Sequence, residues 1–311
     1  MAAFLETRTK GAPEPGDEVR SFLGTIDQMH DLHVIARALV DGLRQGRHAT
    51  PQRGGSTEFF DYRMYVSGDD VRRVDWKLYG RSDRLYVRRH RRFADLTVQL
   101  IVDCSASMAF AGRGGLSKYR YASMLAAALA MVTVRQGDRA GLALAGERIV
   151  SALPPGGTLE HLHRVIHLLE ETHPQGETRL PDGLLAAQQL IPRRRVVTIF
   201  SDLLVEPGEL RRSLHPIAHQ GCDVVAVQIL TPEELSLRGL GAGQFVDEET
   251  GLAVRSHAPT VQRDYERVMR EHIETLRRDF IARGMGFHSA MTSDPPVETL
   301  RRVLRLGGLG G

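Results

Sequence analysis

From Leu96 onward, uninterrupted apolar runs alternate with stretches of helical spacing, and this alternation constrains the fold more than any other feature of the chain. Leu96–Val102 and Val196–Ser201 are rich in Val, Ile and Leu with almost no charge, the pattern of strands buried on both faces. Asp223–Ile229 and Gly286–Met291 read as further strands. Between and after them, Lys118–Arg135, Leu159–Glu171, Leu180–Leu190, Pro207–His219, Gln262–Arg283 and Val297–Leu304 read as helices. Strands separated by helices predict a mostly parallel sheet covered on both faces. Ala140–Ala145 and Arg148–Leu153 flank Gly146-Glu147 and read as a hairpin, so one strand runs antiparallel. The stretch from the end of Asp223–Ile229 to Ser256 reads as irregular.

The chain before Leu96 has a different character. Phe22–Gln45 places Ile26, Met29, Leu32, Ile35, Leu39 and Leu43 at helical spacing and predicts an amphipathic helix. From Gly54 to Arg92, aromatic residues interleave with arginines and aspartates, which predicts loops and short strands. The expected organisation is an N-terminal extension over residues 1–95 and an α/β domain over 96–311.

Asp103-Cys104-Ser105-Ala106-Ser107 closes the first buried strand and is the chemically richest stretch. A carboxylate and two alternate hydroxyls at a strand's carboxyl end suit a hard cation such as Mg²⁺, which prefers oxygen ligands. In open α/β sheets, ligands also bind at that edge. Thr178, just before a helical pattern, and Asp202, just after Val196–Ser201, stand where they can complete the shell. Asp103, Ser105, Ser107, Thr178 and Asp202 are therefore the candidate ligands. A bare Asp-x-Ser-x-Ser can equally serve as a helix cap, since Asp and Ser favour those positions. Cys104 within the motif reads as a buried, inert thiol.

The 311 residues carry a net charge of only +3, but lysine occurs only at Lys10, Lys77 and Lys118, so 41 − 3 = 38 basic residues are arginine. Two cysteines build no disulfide framework, which suits a reducing cytoplasm. No apolar run reaches the length of a membrane span, and Met1–Gly16 lacks the pattern of a secretion signal. A cytoplasmic location is the expectation.

The chain resembles von Willebrand factor A-type domains, and more narrowly the bacterial family called domain of unknown function fifty-eight. Carrying the resemblance are Gly68-Asp69-Asp70-Val71-Arg72-Arg73-Val74-Asp75-Trp76, Tyr79-Gly80-Arg81, and Leu85-Tyr86-Val87-Arg88. Asp103-Cys104-Ser105-Ala106-Ser107-Met108, Ser117-Lys118-Tyr119 and Gln136-Gly137-Asp138-Arg139 follow in the family's order. The resemblance implies a Rossmann-like fold with a metal-ion-dependent adhesion site, Asp103, Ser105 and Ser107 matching its first loop, Thr178 its second and Asp202 its third. It further implies Mg²⁺ (or Mn²⁺), binding of a partner carboxylate rather than catalysis, and a MoxR-type AAA+ ATPase with a client protein as partners. Where relatives often carry acidic residues, this chain has His90-Arg91-Arg92-Phe93-Ala94-Asp95.

Other functions fit the residues less well. A metal-dependent phosphohydrolase of the aspartyl-phosphate type needs a second carboxylate two residues after Asp103, where Ser105 stands. Neither a Gly-x-Ser-x-Gly elbow nor a phosphate loop is present. His163 and His167 lie four apart on a helix, yet no zincin motif accompanies them. Arginines and aromatics over Phe59–Phe93 suggest nucleic-acid binding, but the interspersed aspartates favour internal pairing. Arg88, Arg89, Arg91 and Arg92 remain a candidate docking face for an acidic partner.

Overall fold

The computed structural model describes residues 31–45, 59–65, 79–80, 85–90, 96–146, 148–176, 179–191, 195–236, 242–246 and 253–309. They fall into two compact units, one over Gln45–Leu96 and the other comprising the rest of the chain. In the smaller unit, β1 (Phe59–Met64) pairs antiparallel with β2 (Tyr86–His90), which sets Asp61 opposite Arg89 and Tyr62 opposite Arg88. The side chains of Arg88 and Arg89 lie outside the described part, as do Arg91, Arg92 and the whole of Gly68–Trp76.

The larger unit is a six-stranded sheet. Its strands are β3 (Thr97–Asp103), β4 (Arg139–Ala145), β5 (Ile149–Gly156), β6 (Val196–Ser201), β7 (Asp223–Leu230) and, last in sequence, β10 (Gly286–Met291). Their order is β10-β7-β6-β3-β4-β5, parallel throughout except for β5 against β4. Every residue of β3 and β6 is buried, as their unbroken apolar runs require. By contrast β5, at one edge, alternates between half-buried and exposed positions and contains Pro154 and Pro155.

Helices cover both faces. α2 (Lys118–Arg135) crosses from β3 to β4 and packs against α3 (Leu159–Glu171) and the C-terminal α8 (Pro296–Leu306). On the other face, α4 (Leu180–Ala187) packs on α5 (Pro207–His219), and α5 on the long α7 (Ala258–Ile281). Leu180, Leu184, Leu210, Leu214, Leu276 and Phe280 form a buried cluster there with Ile101, Ile199 and Ala226 of the sheet. A single turn, α6 (Pro232–Leu235), follows β7.

Two features differ from expectation. The segment that reads as irregular contains a hairpin, β8 (Ala242–Val246) with β9 (Ala253–His257), and α7 begins directly after it. Short strands with few β-branched residues give little alternation to detect. The described part of the N-terminal helix, α1 (Leu32–Gln45), also belongs with the sheet unit through Arg44, whereas the sequence grouped it with residues up to 95. Leu32, Ile35, Ala36 and Leu39 are buried, the Leu32 N–H donates to Glu170 Oε1 at 2.5 Å, and the rings of His33 and His163 meet edge-on at 5.1 Å. An apolar face of this kind finds its cover on the nearest core, which sequence spacing alone does not identify.

α2 is buried on nearly every side, and Tyr121 pins it to the C-terminal segment. Its hydroxyl shares a hydrogen bond with Thr299 Oγ1 at 2.9 Å and donates to the Asp294 carbonyl at 3.2 Å. Removing one buried partner leaves the other unsatisfied. Tyr121→Phe should therefore lower unfolding free energy by about 1–3 kcal/mol, read as a reduced urea midpoint at unchanged slope.

Candidate metal centre

β3 leads to β4 on one side, while its neighbour β6 leads to β7 on the other. The carboxyl edge between β3 and β6 is thus a topological switch point, where open α/β sheets leave a crevice. Asp103 ends β3 and Asp202 follows the last residue of β6, so the two carboxylates meet there, both buried.

Asp103 is held from both sides. Its Oδ1 accepts from the Ser105 N–H at 3.0 Å, and its Oδ2 accepts from Ser201 Oγ at 2.6 Å. Burial first, and the neighbouring Asp202 charge second, push its carboxyl up to about 6 despite those hydrogen bonds. Ser107 Oγ donates to Asp202 Oδ2 at 2.8 Å and lies 3.2 Å from Ser105 Oγ. The Asp202 loop is strained: Leu203, fully buried, has a left-handed backbone with φ of 52°. Its N–H donates to Ser201 Oγ at 3.0 Å, and its carbonyl lies 2.9 Å from the His272 ring nitrogen of α7.

The loop before α4 docks on this first loop. Ala106 N–H donates to the Gly176 carbonyl at 2.9 Å, and Gln175 N–H to the Cys104 carbonyl at 2.9 Å. Thr178, two residues further, lies outside the described residues. Of the five expected ligands, Asp103, Ser105, Ser107 and Asp202 come together.

Sequence reasoning gave Lys118 and Glu234 no role, yet both belong to the cluster. Lys118 is the first residue of α2, and helical side chains tilt toward the N-terminus, which here faces the carboxyl edge. Its side chain is fully buried, with Nζ donating to Asp202 Oδ2 at 2.7 Å and to Glu234 Oε1 at 2.5 Å. Burial pulls the ammonium's pKa down, but Asp202 and Glu234 outweigh it and hold the group above its ordinary value. Glu234 is fixed by a capping box with Thr231 at the start of α6. That Thr-x-x-Glu pattern was visible in the sequence, and so was a lysine standing alone among arginines in the α/β region.

An oxygen-seeking divalent cation fits these residues. Octahedral Mg²⁺ at 2.0–2.1 Å puts adjacent ligand oxygens about 2.9 Å apart, close to the 3.2 Å between the Ser105 and Ser107 hydroxyls. Ser107 spends its proton on Asp202, leaving oxygen lone pairs for a cation. The cluster holds three carboxylates against one ammonium, leaving an excess of negative charge. No group of three or more His, Cys, Asp or Glu side chains able to hold a metal occurs among the described residues, so the hydroxyls would be essential ligands.

The histidines play other parts. His161 is buried with a ring nitrogen 2.8 Å from the Ala140 carbonyl, and His167 pairs on the surface with Glu171 at 3.2 Å. Cys104 is buried, and burial, then the Asp103 charge, push its thiol up to about 12, which disfavours the thiolate.

The strand order, the Asp-x-Ser-x-Ser loop at the switch point and the helices on both faces give the von Willebrand A-like, mostly parallel α/β architecture expected from the sequence. The family model described as "Protein of unknown function DUF58" matches residues 61–275, and the chain belongs to that family. Uncharacterized protein Rv1480 of Mycobacterium tuberculosis is 29% identical over 292 residues, spanning 91% of this chain and 90% of the relative. Uncharacterized protein Mb1516 of Mycobacterium bovis matches to the same extent. Among solved structures, an aerotolerance-related membrane protein from Bacteroides fragilis gives a TM-score of 0.48 at 15% identity, covering 68% of this chain and 98% of that one. The hypothetical protein BatB from Bacteroides thetaiotaomicron gives 0.47 at 15% identity, covering 68% and 99%.

Because the folded state binds the Asp103 proton more tightly than the unfolded chain, the resulting stability is complete below about pH 4 and lost as pH rises through about 6. In chelator, wild type should lose stability relative to Asp103→Asn between about pH 5 and about pH 8. Urea midpoints of the two proteins at both pH values measure that difference.

Proposed function

We propose that the chain is a non-enzymatic protein-interaction module whose carboxyl-edge cleft holds Mg²⁺, with Mn²⁺ as the alternative ion. The observation that carries this reading is the pair of serine hydroxyls 3.2 Å apart, flanked by the Asp103 and Asp202 carboxylates at the switch point. Ser105 and Ser107 are the direct ligands. Asp103, with both oxygens already engaged, acts through water, and Asp202 positions Ser107 while supplying charge. The family resemblance adds Thr178 as the fifth ligand. A bound cation would supply an open, positively charged coordination position that attracts a carboxylate from a partner protein.

Non-enzymatic work suits the donor set. Ser105, not a carboxylate, stands two residues after Asp103, and the adjacent Cys104 thiol stays protonated. The partner we favour is a MoxR-type AAA+ ATPase acting on a client protein, which rests on the family resemblance. A cytoplasmic location fits two buried cysteines that form no disulfide. Among the described residues no helix is long and apolar enough to cross a membrane.

Isothermal titration of Mg²⁺ and Mn²⁺ tests the reading, with wild type and Asp103→Ala compared at neutral pH. Wild type should take up one ion and the variant none. Capture of the ATPase should then require metal and disappear in the variant. Equal capture in chelator and in Mg²⁺ would sink the metal-dependent mode and shift attention to Arg88, Arg89, Arg91 and Arg92.

A further inference from the structure

Lys118 occupies an unusual place. An ammonium at the first position of a helix opposes the positive end of the helix dipole, so its burial there is sustained by the two carboxylates it touches. It lies 2.7 Å from the same Asp202 oxygen that receives the Ser107 hydroxyl. Among the described residues, the other Asp202 oxygen accepts a long bond, 3.3 Å, from the Leu204 N–H. A cation is therefore already lodged against the side chain that orients one of the two proposed ligand hydroxyls.

We infer that Lys118 and Glu234 together set how tightly the cleft holds a divalent cation, Lys118 by competing for Asp202 and Glu234 by drawing Lys118 away. The inference rests on the metal reading proposed above. Two positive charges beside one carboxylate repel each other, so the ammonium weakens metal binding. Glu234 works in the opposite sense. Its Oε2 is anchored by the Thr231 N–H at 2.8 Å and the Thr231 hydroxyl at 3.2 Å, which frees Oε1 to hold Lys118. Its carbonyl accepts from Tyr265 of α7 at 2.8 Å, so the competing carboxylate stands on a fixed support. A cleft balanced in this way releases and rebinds its cation, instead of keeping it as a permanent structural ion.

Opposite signs make the inference testable. The full chain is titrated with MgCl₂ and MnCl₂ as wild type, Lys118→Met, Glu234→Gln and the double variant. Lys118→Met should tighten metal uptake by at least about tenfold, and Glu234→Gln should weaken it by a comparable factor. The double variant, which removes the pair together, should bind at least as tightly as wild type. If Lys118 served only to hold the loops together, both single variants would bind more weakly. That result in folded protein overturns the inference, as does unchanged affinity. Should Lys118→Met fail to fold, Glu234→Gln and the double variant decide, because equal or tighter binding by Glu234→Gln, or weaker binding by the double variant, also overturns it. Metal-dependent shifts in melting temperature provide an independent readout of the same affinities. Wild-type uptake without the opposed shifts removes the role of Lys118 alone. No uptake in any of the four proteins removes the metal centre itself, and this inference with it.

Discussion

Two aspartates at the ends of adjacent buried strands must share a space from which water is largely excluded. That constraint organises the carboxyl edge of the whole sheet. Register brings them together, because β3 and β6 pair in parallel with Val102 beside Phe200. Burial first, and their mutual repulsion second, push the Asp103 carboxyl up to about 6. Hydroxyls from Ser201 and Ser107, the Ser105 amide and the Lys118 ammonium each offset part of that repulsion. Lys118 can take part only because α2 starts at this edge, and α2 in turn is fixed by burial on almost all sides.

The support extends beyond the two strands. α7 touches the cluster at two points, through His272 against the Leu203 carbonyl and Tyr265 against the Glu234 carbonyl. The loop before α4 reaches it through Gln175 and Gly176. Glu233 adds a further clasp, since its Oε1 accepts from the Arg113 N–H at 3.3 Å, and a Cβ on Gly112, whose φ is +56°, would strike its other oxygen. Four separate stretches of chain thus converge on one edge, and a strained residue such as Leu203 persists because its surroundings fix it.

Much of this was legible in the sequence. The boundaries of α2, α3, α5, β6 and β10 coincide with those read from the sequence, because α3 and α5 each bury one apolar stripe while α2 and β6 are buried nearly throughout and carry long apolar runs. Asp103, Ser105, Ser107 and Asp202 were legible as a group because strand ends in a parallel sheet all point to one edge. Lys118 was not, since a lysine before a helical run ordinarily reads as a solvated charge; only the fold reveals the two carboxylates that receive it. Glu234 was hidden for a related reason, its capping role being local and its pairing with Lys118 long-range. The β8–β9 hairpin and the seating of α1 escaped because both depend on contacts that short or one-sided patterns leave open.

The edge strand β5 carries one further consequence. Among the described residues its outer side has no partner strand, and a row of unpaired amides there would ordinarily invite another chain to add a strand. Pro154 and Pro155 carry no N–H and interrupt the regular run of strand amides near the end of β5, which makes that part of the rim a poor template for β-augmentation. Recruitment along the backbone is thereby discouraged at that rim, and recognition is left to side chains and loops.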